Sequence, residues 1–215
     1  MRLTLLSLAM LAAALLPVAA NANLLDDGGF EAATGNTQTS NSDWSLVVGM
    51  PNGPAAQFQD APWASNPLGS PGIGMWFRGF EGADGSTGGA NATLSQTVAA
   101  GPGDYDLIFW VRHETNFAAT SANVILSSDQ GDSVSFDLLG TANDGAYNQY
   151  GITGFVASAG TTELTVQAVM TEGVDAGVNP QSMMLDDFSL TAGIPEPTSV
   201  LLALCGLAGL ATRRS

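Results

Sequence analysis

From residue 23 onward, the chain is written in short runs of alternating apolar and polar residues, each closed within about ten residues by Gly, Pro, Asn or Asp. Patterns with the 3.6-residue period of a helix are hard to find. Alternation with period two suits a strand buried on one face, and its repetition at turn-punctuated intervals predicts an all-β sandwich or barrel. The clearest run is Asp104 to His113, where Tyr105, Leu107, Phe109 and Val111 share one face and Asp106, Ile108, Trp110 and Arg112 the other. Further strands are expected at 44–48, 74–78, 92–98, 122–127, 133–138, 150–156, 163–170 and 183–190. Gly101-Pro102-Gly103, Asp129-Gln130-Gly131-Asp132 and Asn143-Asp144-Gly145 supply turns. The stretch 51–72 is rich in Pro, Gly and Ala and reads as a long surface loop.

The two ends have a different character. Arg2, an apolar run from Leu3 to Ala20 and the site Ala20-Asn21-Ala22 have the order of a secretory signal peptide over 1–22, cut after Ala22. At the other end, Pro195-Glu196-Pro197 precedes an apolar run from Val200 to Ala211 and then Arg213-Arg214. That run falls short of the roughly 20 residues of a stable span, so transient membrane association through a processed anchor is expected. The arginines beyond it place the C-terminus on the cytoplasmic side. Between the ends, 23–193 has the length of one domain.

Charge narrows the partners. That domain holds 19 of the 20 acidic residues against two basic ones, Arg78 and Arg112, and the chain has no lysine. Such a balance repels phosphate backbones and argues against nucleic acid, while divalent cations or an acidic, solvated surface fit it. The single cysteine, Cys205, lies in the C-terminal apolar run, so no disulfide can brace the domain.

The tripartite tail 194–215 resembles the PEP-CTERM sorting signal, matched by Pro195, Glu196, Pro197, the apolar run, Arg213 and Arg214. This resemblance implies an exosortase-type processing enzyme as partner. It also implies a cell-surface or extracellular-matrix destination in a Gram-negative bacterium, with inner-membrane association before processing, and a link to exopolysaccharide and biofilm. Within the domain, Asn23 to Glu31, Ala92 to Val98 with the following Gly-Pro-Gly hairpin, and Met184 to Leu190 are similar to galactose-binding-like jelly-roll carbohydrate-binding modules. That likeness implies a jelly-roll β-sandwich of about 8–10 antiparallel strands, with its first and last strands near one another. It further implies structural calcium held by Glu31 and Asp186, completed by carbonyls such as that of Gly29, with Asp187 as the substitute ligand. Calcium takes six to eight oxygens, so carboxylates alone do not fill its shell. Read as plain strand residues, Asp186 and Asp187 alternate, and only one of them faces such a site.

A second constellation comes from strand faces. Trp76 shares a side with Arg78, and Trp110 with Arg112, so both arginines of the domain accompany a tryptophan at i and i+2. Indole faces stack on sugar rings, and guanidinium forks grip carboxylates or hydroxyls. Trp76, Arg78, Trp110 and Arg112 are therefore the expected sugar-binding face, suited to a polysaccharide with uronate groups. Trp63, in the long loop, is the alternative stacking residue, and Trp44 is assigned to the core. The opposing expectation is that these tryptophans are core residues and that the arginines pair with local acids.

No Gly-x-Ser-x-Gly elbow, His-Glu-x-x-His helix or phosphate loop is present, and His113-Glu114 is the only histidine-containing pair. The sequence thus reads as a non-enzymatic exported protein that binds or organises extracellular polysaccharide. The competing readings are a structural matrix protein without specific sugar binding and a glycan-processing enzyme.

Overall fold

The computed structural model describes residues 22–33, 38–49, 53–69, 72–82 and 89–193. Apart from Ala22, the signal peptide and the whole sorting tail, including the short C-terminal apolar helix expected from the sequence, lie outside the described residues. Asn23–Ala192 forms one compact unit built from ten strands: β1 Ser45–Val48, β2 Ala56–Asp60, β3 Ile73–Phe77, β4 Ala90–Ala99, β5 Gly103–His113, β6 Ala119–Ser128, β7 Ser133–Asp137, β8 Tyr147–Ala157, β9 Glu163–Gly173 and β10 Met183–Ala192. They make two five-stranded antiparallel sheets, β1-β4-β9-β6-β7 and β2-β3-β10-β5-β8. The fold is an all-β jelly-roll sandwich, as the sequence and its resemblance led one to expect.

Alternation explains the layering. In β5, Tyr105, Leu107, Phe109 and Val111 are buried while Asp106, Ile108, Trp110 and Arg112 reach solvent wholly or in part. Leu94 of β4, Val124 and Leu126 of β6, and Val166, Ala168 and Met170 of β9 meet them from the facing sheet. Phe188 is the hub of an aromatic cluster: its ring lies 5.8 Å from Phe30, 5.5 Å from Trp44 and 5.5 Å from Phe109. Trp44 is a core residue, and its indole N–H donates to the Asp27 carbonyl.

The N-terminal segment is clipped onto the last strand. Leu24 donates to the Leu190 carbonyl, and the Asn23 side chain accepts from Leu190 N and donates to Phe188 O. Phe30 then plugs the core beside β10. The first residues of the domain are therefore seated against its end, and Glu31 is carried into the neighbourhood of Asp186.

One expectation needs correction. The stretch 51–72 is not loop throughout, because Ala56–Asp60 forms β2 and pairs with β3 from Ala56↔Phe77 to Asp60↔Ile73. Phe58 enters the core and Gln57 points to the opposite face. The flanking prolines masked this strand, and they are compatible with it because β2 is an edge strand, where fewer ladder donors are required.

Candidate functional site

The outer face of the β2-β3-β10-β5-β8 sheet carries a cross-strand row Gln57, Trp76, Met184, Arg112, Tyr147. Beside it, Trp110 stands in register with Asp186 and Gln149. The expected companions Trp76, Trp110 and Arg112 thus do share one face. Met184 and Asp186 are wholly buried yet lie on this outer face, on the side away from the core. What covers them is a strap, residues 61–69, laid across the sheet.

Several contacts hold the strap. Arg112 Nη1 donates to the Trp63 carbonyl and the Tyr147 hydroxyl to the Ala64 carbonyl. Asn66 N donates to Asp186 Oδ2 at 2.6 Å, and Asn66 Nδ2 to Asp187 Oδ2 at 2.8 Å. The chain lies so close to the sheet that a Cβ at Gly74 would overlap the Ala64 carbonyl oxygen, and one at Gly69 would overlap the Asp187 carboxylate. Burial, and secondarily the Asp186 charge, push the Tyr147 phenol well above its ordinary range, so it remains a neutral donor.

Trp63 and Trp76 meet edge to face at 4.9 Å. The guanidinium of Arg78 packs over Trp76 at 4.8 Å and over Phe80 at 5.1 Å, bonds Glu81, and donates to Pro54 O and Gln57 Oε1. Trp76 Nε1 and Arg78 Nε are shielded from solvent and have no acceptor among the described residues. Trp76 thus packs against Trp63 of the strap, and Arg78 is held by Glu81, Pro54 and Gln57, so both are only partly exposed.

Trp63 is the exposed tryptophan, at 43%, and Leu68 beside it is 76% exposed. With Pro62, Pro67, Arg112 and Tyr147 they line a cleft of about 410 Å³ between the strap and the start of β8. Arg112 forms its floor: Nε donates to Gly145 O, Nη1 to Trp63 O, and Nη2 pairs with Glu114 at 3.3 Å. Two of its five N–H groups remain for other acceptors. Trp110 lies two residues back along β5 on the same face, about 6.7 Å away by strand rise, next to the partly exposed Ile108.

The acidic group is organised by a bulge. The register of β10 against β5 shifts between Asp186 and Ser189, and Asp187 has φ of 48°. Simple alternation therefore fails here, and both carboxylates reach Asn66. This corrects the expectation that only one of the pair could face the site. Asp186 is fully buried, accepting from Asn66 N and from Asp187 N at 2.7 Å. Burial first, then the charges of Asp187 and Glu31, push its carboxyl up to about 8.

Glu31 is raised as well, by burial and then by Asp27, Asp60 and Asp187, although its Oε1 accepts from Ile73 N. Gly29 sits in the turn just before Phe30. Among the described residues neither arginine pairs with Asp186, since Arg78 is taken by Glu81 and Arg112 by Glu114. No three His, Cys, Asp or Glu side chains among them converge tightly enough to enclose an ion by themselves.

His113 is not presented to the cleft. It is buried, bonded to Thr141 Oγ1 at 3.1 Å and packed edge-on against Phe117, and burial lowers its pKa. Glu114 is held by Ser182 N and Arg112. The strap itself escaped sequence reasoning, because its anchors are backbone carbonyls and amides that no residue type announces.

The fold defines a class of β-sandwich shared with carbohydrate-binding modules. No family model matches the chain, and no curated protein does. Among solved structures, TmCBM61 in complex with β-1,4-galactotriose is similar at 21% identity and TM-score 0.50, over 80% of this chain and 99% of that one. A cyclase from Fischerella sp. TAU, in complex with 4-(1H-indol-3-yl)butan-2-one, is similar at 14% identity and TM-score 0.59, over 82% of this chain and 100% of that one. Arabinose-bound MgGH51 α-L-arabinofuranosidase matches at 14% identity and TM-score 0.52, over 82% of this chain and 27% of that one.

Proposed function

We propose that this is an exported, non-enzymatic protein that binds extracellular polysaccharide through the Trp63 cleft. The observation that carries the reading is an exposed indole beside Leu68, above an arginine floor, on a strap clamped to a rigid sheet. An aromatic plane held in place supplies sugar stacking at low entropic cost, and the remaining guanidinium N–H groups supply direction. Trp110, further along the same face, is a second stacking position for a longer chain. The likeness to TmCBM61, whose structure holds a galactotriose, agrees with this use of the fold.

Both arginines are paired with glutamates, which favours a neutral glycan over the uronate polymer that their presence in the sequence suggests. A catalyst needs an acid, base or nucleophile offered to substrate, and the burial of His113 and the engagement of Glu114 weigh against those two as candidates. Export, exosortase processing and a surface or biofilm destination rest on the resemblances of the terminal segments 1–22 and 194–215.

Calcium belongs to the same proposal. The fit lies in Asp186: a buried carboxylate beside two others, with no cationic side chain among the described residues paired to it, is a natural cation ligand. Asp186, Asp187 and Glu31 would hold the ion with carbonyls such as that of Gly29, and the ion would take the place of the proton that burial holds on Asp186.

Polysaccharide pull-down with the 23–193 domain separates a binder from a passive matrix protein. Retention on at least one neutral polysaccharide, such as β-1,4-galactan, is expected, with longer chains held more weakly by a Trp110→Ala variant. Recovery in the unbound fraction from every polysaccharide in the panel would favour the matrix reading.

A further inference from the structure

Although 19 acidic residues fall within 23–193, none of them lines the Trp63 cleft among the described residues, and no carboxamide does. Its walls are Pro62, Trp63, Pro67 and Leu68 of the strap and Ala146 just ahead of β8. Asn66, the one strap residue that could offer a carboxamide, is buried and turned away: it donates to Asp186 and Asp187, and its Oδ1 accepts from Leu68 N. The side-chain oxygens left in the lining are two hydroxyls. Ser65 is 4% exposed, and the Tyr147 proton is spent on the Ala64 carbonyl. The carbonyls of Trp63 and Gly145 already accept from Arg112. The uncommitted polar groups are therefore mainly donors, the two remaining N–H groups of Arg112, set among apolar walls.

We propose that the Trp63 cleft selects sugar units carrying O-acyl groups, of which O-acetyl is the simplest, over the same units with free hydroxyls. The inference rests on the functional reading above and narrows its substrate class. A free hydroxyl both donates and accepts, so one pressed against these walls gives up its water and finds few groups to receive its proton. An acetyl ester removes that donor, offers a carbonyl that only accepts, and adds a methyl group. The carbonyl complements the spare guanidinium N–H groups, and the methyl covers Leu68 and the Trp63 edge, which are otherwise open to water. A plain hydrocarbon ligand would strip water from Arg112 and return no acceptor, so the arginine floor points to an ester and not to a lipid chain. The cleft, at about 410 Å³, falls within the roughly 300–1,000 Å³ of small-ligand sites, so a substituted unit can enter it.

Isothermal titration of the 23–193 domain tests this with β-1,4-galactan that has been partly O-acetylated and with the same polymer after mild alkaline de-esterification. Backbone and chain length are then shared. The acetylated polymer should bind about tenfold more tightly, the gain expected from one buried methyl and one spared hydroxyl. Leu68→Ala removes the apolar wall, and because Leu68 is 76% exposed the domain should fold as before. In that variant the ratio between the two polymers should fall below about threefold.

Equal affinity for the two polymers, or tighter binding of the de-esterified one, overturns the acyl preference while leaving the cleft a glycan site. A preference that persists undiminished in Leu68→Ala places the ester elsewhere on the domain and overturns the proposal as well. Binding of neither polymer, nor of any other polysaccharide in the panel, sinks the functional reading and the acyl preference with it.

Discussion

Replacing Phe188 with alanine should lower the stability of the domain by about 3–5 kcal/mol, the usual cost of deleting a buried aromatic ring. For a domain of this size that is a fall in Tm of roughly 6–20 °C. Phe188 is almost wholly buried and touches the rings of Phe30, Trp44 and Phe109, which come from three separate parts of the chain. The cavity has few ways to collapse, because Phe109 and Trp44 are themselves held by strand β5 and by the bond to Asp27. Phe188 also follows the bulge directly, and its N–H donates to Gly28 O. The variant should therefore loosen the Asp186–Asp187 pair and the N-terminal clip together. Urea unfolding measures the loss, and a change below 1 kcal/mol would show that the cluster is not the keystone described.

The second large effect is electrostatic. Because the Asp186 carboxyl stands near 8 in the folded chain and near 3.9 in an unfolded one, the folded state binds the extra proton. Its contribution is fully present below the unfolded value and is lost as pH rises through the folded one. Linkage allows up to about 1.4 kcal/mol per pH unit, or about 3 kcal/mol between pH 5 and pH 7. Calorimetry with EDTA should find that the stability of Asp186→Asn, which removes the charge together with one of the two accepting oxygens, rises relative to that of the natural chain as pH goes from 5 to 7. Comparing the two chains cancels His113, whose lowered pKa acts in the opposite sense as pH falls. Millimolar calcium should raise the Tm of the natural chain most at pH 7 and do little for Asp186→Asn, since a ligand stabilises only the state that binds it. Parallel pH profiles for the two chains, or no response to calcium, would contradict this picture of the acidic group.

These effects show how much the sequence already disclosed. Tyr105, Leu107, Phe109 and Val111 could be assigned to the core because period-two burial leaves a direct trace in residue type. The same reading put Trp76, Trp110 and Arg112 on one face, where the structure has them. Strand β2 was hidden because its inward residues are Ala56 and Phe58 alone, set among prolines and glycines. The bulge at Asp187 was equally hidden: an extra residue with positive φ changes the facing of two side chains while leaving composition untouched.

The candidate site was legible as a set of residues but not in its roles. Trp76 looks like a ligand-facing group until the strap is laid against it, and only backbone acceptors such as Trp63 O and Ala64 O place the strap there, while Arg78 turns to Glu81 and Gln57. Trp63, the lesser candidate from sequence, then becomes the exposed one. That exchange follows from where the chain crosses itself, a property of tertiary structure that local pattern does not encode.

The central claim is that Trp63 on its clamped strap is the sugar-stacking surface. Isothermal titration of a retained neutral polysaccharide against the 23–193 domain and its Trp63→Ala variant tests it most directly. The account predicts a loss of affinity of at least tenfold, consistent with removing a hot-spot aromatic, with Tm within a few degrees of the natural chain because Trp63 is substantially exposed. Unchanged affinity in a folded Trp63→Ala domain would contradict it.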